Sequence, residues 1–175
     1  SGLLKGSINR VLGEGYTSSK LDIVSHSMGA LVTLGYLEDL GKDPNENPIY
    51  YSNNIRKYIA IGGPIHGSFS ANRYLITNNI VTCPFLGGFE KKDIYAQSYL
   101  DLAVGSEFTW LLNDAGLNPD IKYLSIVGSE GIPCLPDETN QIDNEPGGGN
   151  DGFLAVSSGS LLGKNVPLIV FTYDN

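Results

Sequence analysis

The run from Leu21 to Ala30 constrains the fold of this chain more than any other segment. It opens with mostly apolar residues, Leu21 to Ser25, as is typical of a strand buried in a parallel sheet. From Met28 the apolar residues recur at helical spacing, so almost no connection separates strand from helix. Such a tight turn predicts a strained backbone at its apex, Ser27, and strain of this kind is concentrated at functional sites.

The pentapeptide Ser25-His26-Ser27-Met28-Gly29 has the residue types that this turn requires. Its first and last residues are small, and the turn would direct the Ser27 hydroxyl away from the sheet, above the N-terminus of a helix. We therefore expect Ser27 to be a nucleophile. The backbone N–H of Met28 would then face a developing oxyanion. A serine-rich turn without chemistry is the alternative interpretation.

Strands and helices alternate in the rest of the chain. A short helix is predicted at the start, and a second one over Met28–Leu40 with Gly41 as its C-terminal cap. Polar residues predict loops over 42–54 and 128–152. Further strands are predicted over Ile55–Ile61, Ile121–Val127 and Val166–Thr172. This alternation predicts an α/β fold, with a mostly parallel sheet and helices on both faces.

Residues 69–119 interrupt the alternation and are predicted to form a helical insertion, with helices near 95–104 and 106–115. Aromatic side chains are frequent in this insertion. They could form an acyl-binding lid above a hydrolase site or the small core of the insertion itself. These residues are Tyr74, Phe85, Phe89, Tyr95, Tyr99, Phe108 and Trp110.

Three segments carry a family resemblance. LDIVSHSMGALV resembles the nucleophile elbow of the lipase-like α/β-hydrolases, which usually reads V-G-H-S-M-G, with Ser25 here in place of the glycine. Residues 59–68 resemble that family's strand and following GTPxxGS loop. Residues 150–158 resemble the NDGxVxxxSS segment of bacterial lipases. The three matches occur in the family's order, and the chain is read as a single partial α/β-hydrolase domain, 1–175.

The resemblance implies a serine hydrolase of carboxylic esters in which Ser27 is the nucleophile and Asp151 orients a histidine base. Asp151 alone has the family context among the acidic residues of its loop, which include Asp137, Glu138, Asp143 and Glu145. An acyltransferase that uses the same nucleophile and a non-catalytic hydrolase-like binding module are the alternatives.

The histidines do not complete this triad. The family order places the base after the acid, but the two histidines of the chain, His26 and His66, both precede Asp151. The resemblance implies that His26 packs into the fold near the nucleophile. His66 could line the active site or, in an unfamiliar arrangement, act as the base. We expect the base beyond Asn175, in a larger hydrolase domain of which this chain is the middle.

Charge and composition limit the partners. A net charge of −8 and a pI near 4.6 disfavour nucleic acid as a partner. The family resemblance implies a small-molecule or lipid ester as the substrate. No apolar run is long enough to span a membrane, and Ser1–Lys5 lacks a signal-peptide pattern. Oligomeric state stays open.

The two cysteines, Cys83 and Cys134, lack the spacing of a zinc site, and they could form a disulfide or remain buried thiols. Surface-type residues that are mostly Asn, Ser, Gly and Tyr favour an extracellular or secretory compartment. No cofactor is expected. Some lipases of this kind bind calcium, but the acidic loop matches no EF-hand spacing.

Overall fold

A computed structural model describes residues 2–15, 18–68, 71–72, 97–129, 156–161 and 166–171. Helices and strands alternate over these ranges. Their order is α1 (Gly2–Gly13), β1 (Leu21–His26), α2 (Met28–Leu37), β2 (Gly41–Lys42), β3 (Pro48–Ile49), β4 (Ile55–Ile61), α3 (Gln97–Leu102), α4 (Glu107–Asp114), β5 (Lys122–Gly128), α5 (Val156–Gly159) and β6 (Leu168–Phe171).

The main sheet of the described residues is parallel, with the strand order β1-β4-β5-β6. His26 pairs with Ile61 at the carboxyl ends of β1 and β4, and Ile61 pairs with Ile126 of β5. The predicted α/β fold with a mostly parallel sheet is therefore confirmed. The carboxyl ends of parallel strands are where ligands bind in such folds, and this edge of the sheet carries Ser27.

One face of the sheet supports the buried core. Ile23, Tyr58 and Tyr123 share this face by register, and α2 packs over it. Seven of the ten residues of α2 are buried, which explains why apolar residues surround its axis instead of forming one stripe. On the opposite face of β1, the side chain of Val24 is 61% exposed in the described structure.

The end of α2 differs from its prediction. The helix stops at Leu37, three residues before Leu40, and Asp39 takes a positive φ of 59° after it. The N–H of Leu40 donates to the carbonyl of Gly35 (2.9 Å), which closes the helix. Gly41 is therefore not the cap but the first residue of β2, because Asp39 tolerates the left-handed conformation that usually selects glycine.

A second difference lies in residues 42–54, which were predicted to be a loop. Strands β2 and β3 form a short antiparallel hairpin there. The carboxylate of Asp43 accepts hydrogen bonds from the backbone N–H groups of Asn45 (2.8 Å) and Asn47 (2.9 Å) and so stabilises the turn. Strands of two residues are too short to show an alternating pattern in the sequence.

The described part of the predicted insertion is helical, as expected. Ser106 caps the N-terminus of α4, where its hydroxyl accepts a hydrogen bond from the N–H of Thr109 (3.1 Å). Leu112 of α4 joins the main core, and Phe108 lies against Gly35 of α2. This segment of the insertion thus packs on the body of the domain. Residues 73–96 and most of the acidic loop, with both cysteines, lie outside the described residues.

In the described ranges, no helix combines the length and the apolar character that a membrane crossing requires.

Candidate active site

Ser27 occupies the turn between β1 and α2, and its backbone is strained. Its φ of 54° and ψ of −134° lie in a region that side-chain-bearing residues rarely adopt. Such a conformation costs about 1–3 kcal/mol and persists only where the surroundings enforce it. The strain predicted from the sequence is therefore present at the predicted residue.

Two backbone hydrogen bonds hold this turn. The N–H of Ser27 donates to the carbonyl of Ile61 in β4 (3.0 Å), so the pairing of β1 with β4 continues into the turn. The carbonyl of Ser27 accepts from the N–H of Ala30 (2.9 Å) in the first turn of α2. One bond fixes the turn to the sheet and the other fixes it to the helix.

The side chain of Ser27 does not serve the helix that follows it. A serine at this position usually accepts a hydrogen bond from the second or third backbone N–H of the helix, but Ser27 makes no such bond. The residue is exposed among the described residues. Its hydroxyl is thus left for another use, beside a helix N-terminus that favours negative charge.

Met28 is the first residue of α2, so its backbone N–H has no acceptor within the helix. That property fits the predicted role of Met28 as an oxyanion donor, which stays a prediction.

The loop after β4, the second of the three matching segments, packs directly on the elbow. A Cβ built on Gly63 would lie 2.3 Å from the Cβ of Ala30, far inside any real contact distance. Glycine is thus required at position 63 because the loop passes so close to the first turn of α2. The sequence resemblance contained this glycine but gave no reason for it.

The third matching segment joins the second at its far end. The N–H of His66 donates to the carbonyl of Ser158 (3.0 Å), and the buried hydroxyl of Ser158 donates to the carbonyl of Gly67. Helix α5 also contacts the sheet, because the hydroxyl of Ser125 donates to the carbonyl of Gly159 (2.5 Å). These contacts fix the segment that begins five residues after Asp151 at the carboxyl edge of the sheet.

The same loop is also tied to α3 and α4. The Asn113 side chain of α4 donates to the carbonyl of Ile65 (2.8 Å). The N–H of Ser68 donates to the carbonyl of Leu102 (2.8 Å) at the end of α3. The described part of the predicted lid therefore adjoins the loop that packs on the elbow.

Of the remaining predicted site residues, the structure describes the two histidines but not the carboxylates of the acidic loop. His66 is half-buried in the loop after β4, the strand next to the one that leads to Ser27. His26 ends β1 and is exposed, so the described residues do not provide the packing that the resemblance implies for it. Asp151 lies outside the described residues, as do Asp137, Glu138, Asp143 and Glu145 of its loop.

Comparison with known proteins identifies the family. The profile of the lecithin:cholesterol acyltransferase family matches residues 3–113, which is more than half of the 175 residues and includes the elbow. The chain belongs to the lecithin:cholesterol acyltransferase family. The resemblance to lipase-like α/β-hydrolases is thereby confirmed. No curated protein sequence matches the chain.

Solved structures of bacterial proteins share the fold of this family member. The mature lipase BlEst2 of Bacillus licheniformis superimposes with a TM-score of 0.68 at 18% identity, over 97% of this chain and 62% of the lipase. Phospholipase PlaB of Legionella pneumophila gives a TM-score of 0.62 at 18% identity, over 91% of this chain and 32% of PlaB. EstA of Clostridium botulinum gives a TM-score of 0.58 at 16% identity, over 86% of this chain and 58% of EstA. The chain spans less than two thirds of each of these proteins.

The contact between Gly63 and α2 can be tested by substitution. We expect Gly63→Ala to lower the free energy of unfolding by about 1–3 kcal/mol, because the new methyl group overlaps Ala30. Gly116→Ala is the matched control, since a Cβ there meets nothing within 4 Å. It should stay within about 1 kcal/mol of the unsubstituted protein. Equal urea midpoints for the two variants would show that the loop does not pack this closely on the elbow.

Proposed function

We propose that this family member is a serine hydrolase of carboxylic esters with Ser27 as its nucleophile. The observation that carries the proposal is the backbone of Ser27, which is strained by the turn yet leaves its side chain unused by the helix. Strained conformations are concentrated at functional sites, and the presentation of a nucleophile is a function that uses such a turn.

In the proposed reaction the Ser27 oxygen attacks the acyl carbonyl while a histidine takes the hydroxyl proton. The N–H of Met28 donates to the oxyanion of the tetrahedral intermediate. The histidine then passes its proton to the leaving alcohol as the carbon–oxygen bond breaks, which leaves an acyl group on Ser27. Water attacks this acyl-enzyme and releases the acid. The proposal assigns the orientation of the histidine to Asp151.

The family and its structural neighbours support a proposal for the substrate class. The family is named for an acyltransferase, and the structural neighbours include a lipase and a phospholipase. Lipid esters are therefore the substrates that we propose for this chain. An extracellular location, which the composition favours, is a further part of the proposal, as is the role of 69–119 as a lid.

The nucleophile is tested by removing one hydroxyl. Ser27→Ala in the full-length protein should reduce hydrolysis of a p-nitrophenyl ester by about 10³-fold or more, because acylation has lost its attacking oxygen. Ser52→Ala is the matched control: Ser52 is exposed, and its hydrogen bond to the Tyr36 hydroxyl uses the backbone N–H. Unchanged hydrolysis by Ser27→Ala would refute the proposal, because another group would then attack the ester. Absence of hydrolysis in the unsubstituted full-length protein would favour a non-catalytic binding module.

The acid is tested in the same assay. Asp151→Asn should lower kcat by about 10³–10⁴-fold, because the amide no longer favours the required histidine tautomer or stabilises its cation. Asp143→Asn changes a neighbouring carboxylate of the same loop and should leave kcat within about twofold. If Asp143→Asn caused the larger loss, the role given to Asp151 would be wrong.

Acyl transfer is the second candidate, and the family's name favours it. An alcohol that reaches the acyl-enzyme can replace water, so the two reactions share every step up to deacylation. The test supplies a phospholipid as the acyl donor, together with a long-chain alcohol or sterol as the acceptor, and measures the products by mass spectrometry. We expect free acid to be the main product. A hydrolase keeps releasing acid, whereas a transferase converts most of the acyl group into the new ester.

A further inference from the structure

Tyr58 lies beneath the elbow and contacts it on both sides. Its side chain is fully buried in the middle of β4. The phenol oxygen lies 2.8 Å from the hydroxyl oxygen of Ser25 and 3.1 Å from the carbonyl oxygen of Ala30. Ser25 precedes Ser27 by two residues and Ala30 follows it by three, so one phenol spans the strained turn.

The direction of these hydrogen bonds follows from the available protons. A carbonyl oxygen can only accept, so the single phenol proton of Tyr58 is donated to Ala30. The hydroxyl of Ser25 must then donate to the phenol oxygen. Burial raises the pKa of Tyr58 above its ordinary value, so the phenol keeps this proton at neutral pH. The hydrogen bonds from Ser25 to Tyr58 and from Tyr58 to Ala30 therefore form together in one arrangement of the protons.

Ser25 is also the residue at which the elbow departs from the usual family pattern. Glycine at position 25 has no hydroxyl and could not form this bond. The turn has room for the larger residue, since even a Cβ built on Gly29, which faces it, would lie 3.8 Å from the Cβ of Ser25 in ordinary contact. The substitution of serine for glycine therefore adds a hydrogen bond without a clash.

We propose that Tyr58 and Ser25 are positioning residues that hold the elbow in the conformation required for attack by Ser27. This inference rests on the proposed function of Ser27. The two backbone hydrogen bonds of Ser27 fix the turn itself, and the phenol fixes the residues on either side of it. Loss of the phenol hydroxyl would let the first turn of α2 move relative to β1. Small displacements of a nucleophile lower the reaction rate.

The test compares Tyr58→Phe with Tyr123→Phe in the full-length protein. Tyr123 is the matched control because it is the neighbouring tyrosine on β5, with its ring 6.0 Å from that of Tyr58. Its hydroxyl makes no hydrogen bond to the elbow in the part of the chain that the structure describes. We expect Tyr58→Phe to lower kcat for a p-nitrophenyl ester about tenfold with KM within twofold, and Tyr123→Phe to change neither.

A double-mutant cycle tests whether Ser25 acts through Tyr58. Ser25→Ala leaves the bond from Tyr58 to Ala30 intact, so its loss in kcat should be smaller than that of Tyr58→Phe. The double variant Ser25→Ala/Tyr58→Phe should be no slower than Tyr58→Phe alone, because the serine bond requires the phenol. Strictly multiplicative losses would overturn the role assigned to Ser25.

Amide hydrogen exchange separates this inference from the proposed function. The backbone N–H groups of Ser27 and Ala30 should exchange about tenfold faster in Tyr58→Phe than in Tyr123→Phe, whether or not the protein is an enzyme. Unchanged exchange would overturn the positioning role even in an active protein. Faster exchange in a protein that hydrolyses no ester would uphold the positioning role and refute the proposed reaction alone.

Discussion

The backbone of Ser27 is the constraint on which the rest of this structure depends. A side-chain-bearing residue at φ 54° and ψ −134° is unfavourable in isolation, so the fold must enforce it. Enforcement comes from the parallel pairing of β1 with β4, which delivers the carbonyl of Ile61 to the N–H of Ser27. A shift in that register would remove this bond and bring the other face of β1 towards α2.

At the carboxyl edge of the sheet, the loop after β4 packs closely on the elbow, and the segment after Asp151 packs on that loop. Gly63 lets the loop after β4 lie against Ala30, and Ser158 ties the segment after Asp151 to the far end of that loop. These contacts are made mostly by backbone groups and by small side chains. Glycines and serines therefore make many of the contacts at this site, and Ser27 itself is exposed.

The sequence predicted the parts of this arrangement that depend on local pattern. Apolar runs marked β1, β4 and β5, and the change to helical spacing at Met28 marked α2. The β2–β3 hairpin was missed because its strands have two residues each. The end of α2 was misplaced because Asp39 adopts a conformation that the sequence suggested for a glycine.

Contacts between distant residues explain most of what the sequence did not reveal. Tyr58 is one tyrosine in the otherwise aliphatic half of a strand, and nothing local shows that its phenol reaches Ser25 and Ala30, some thirty residues earlier. The need for Gly63 likewise depends on a helix from another part of the chain. A polar aromatic residue within the aliphatic half of this strand was the one signal that could have drawn attention to this contact.

The most direct test of the central claim identifies the atom that reacts. Treatment of the full-length protein with a fluorophosphonate, followed by tryptic digestion, would release the peptide from Leu21 to Lys42, which contains both Ser25 and Ser27. Fragmentation in the mass spectrometer distinguishes the two serines. Our account predicts a single phosphonyl adduct on Ser27. An adduct on Ser25 or on a different peptide, or no adduct in a protein that hydrolyses esters, would contradict it.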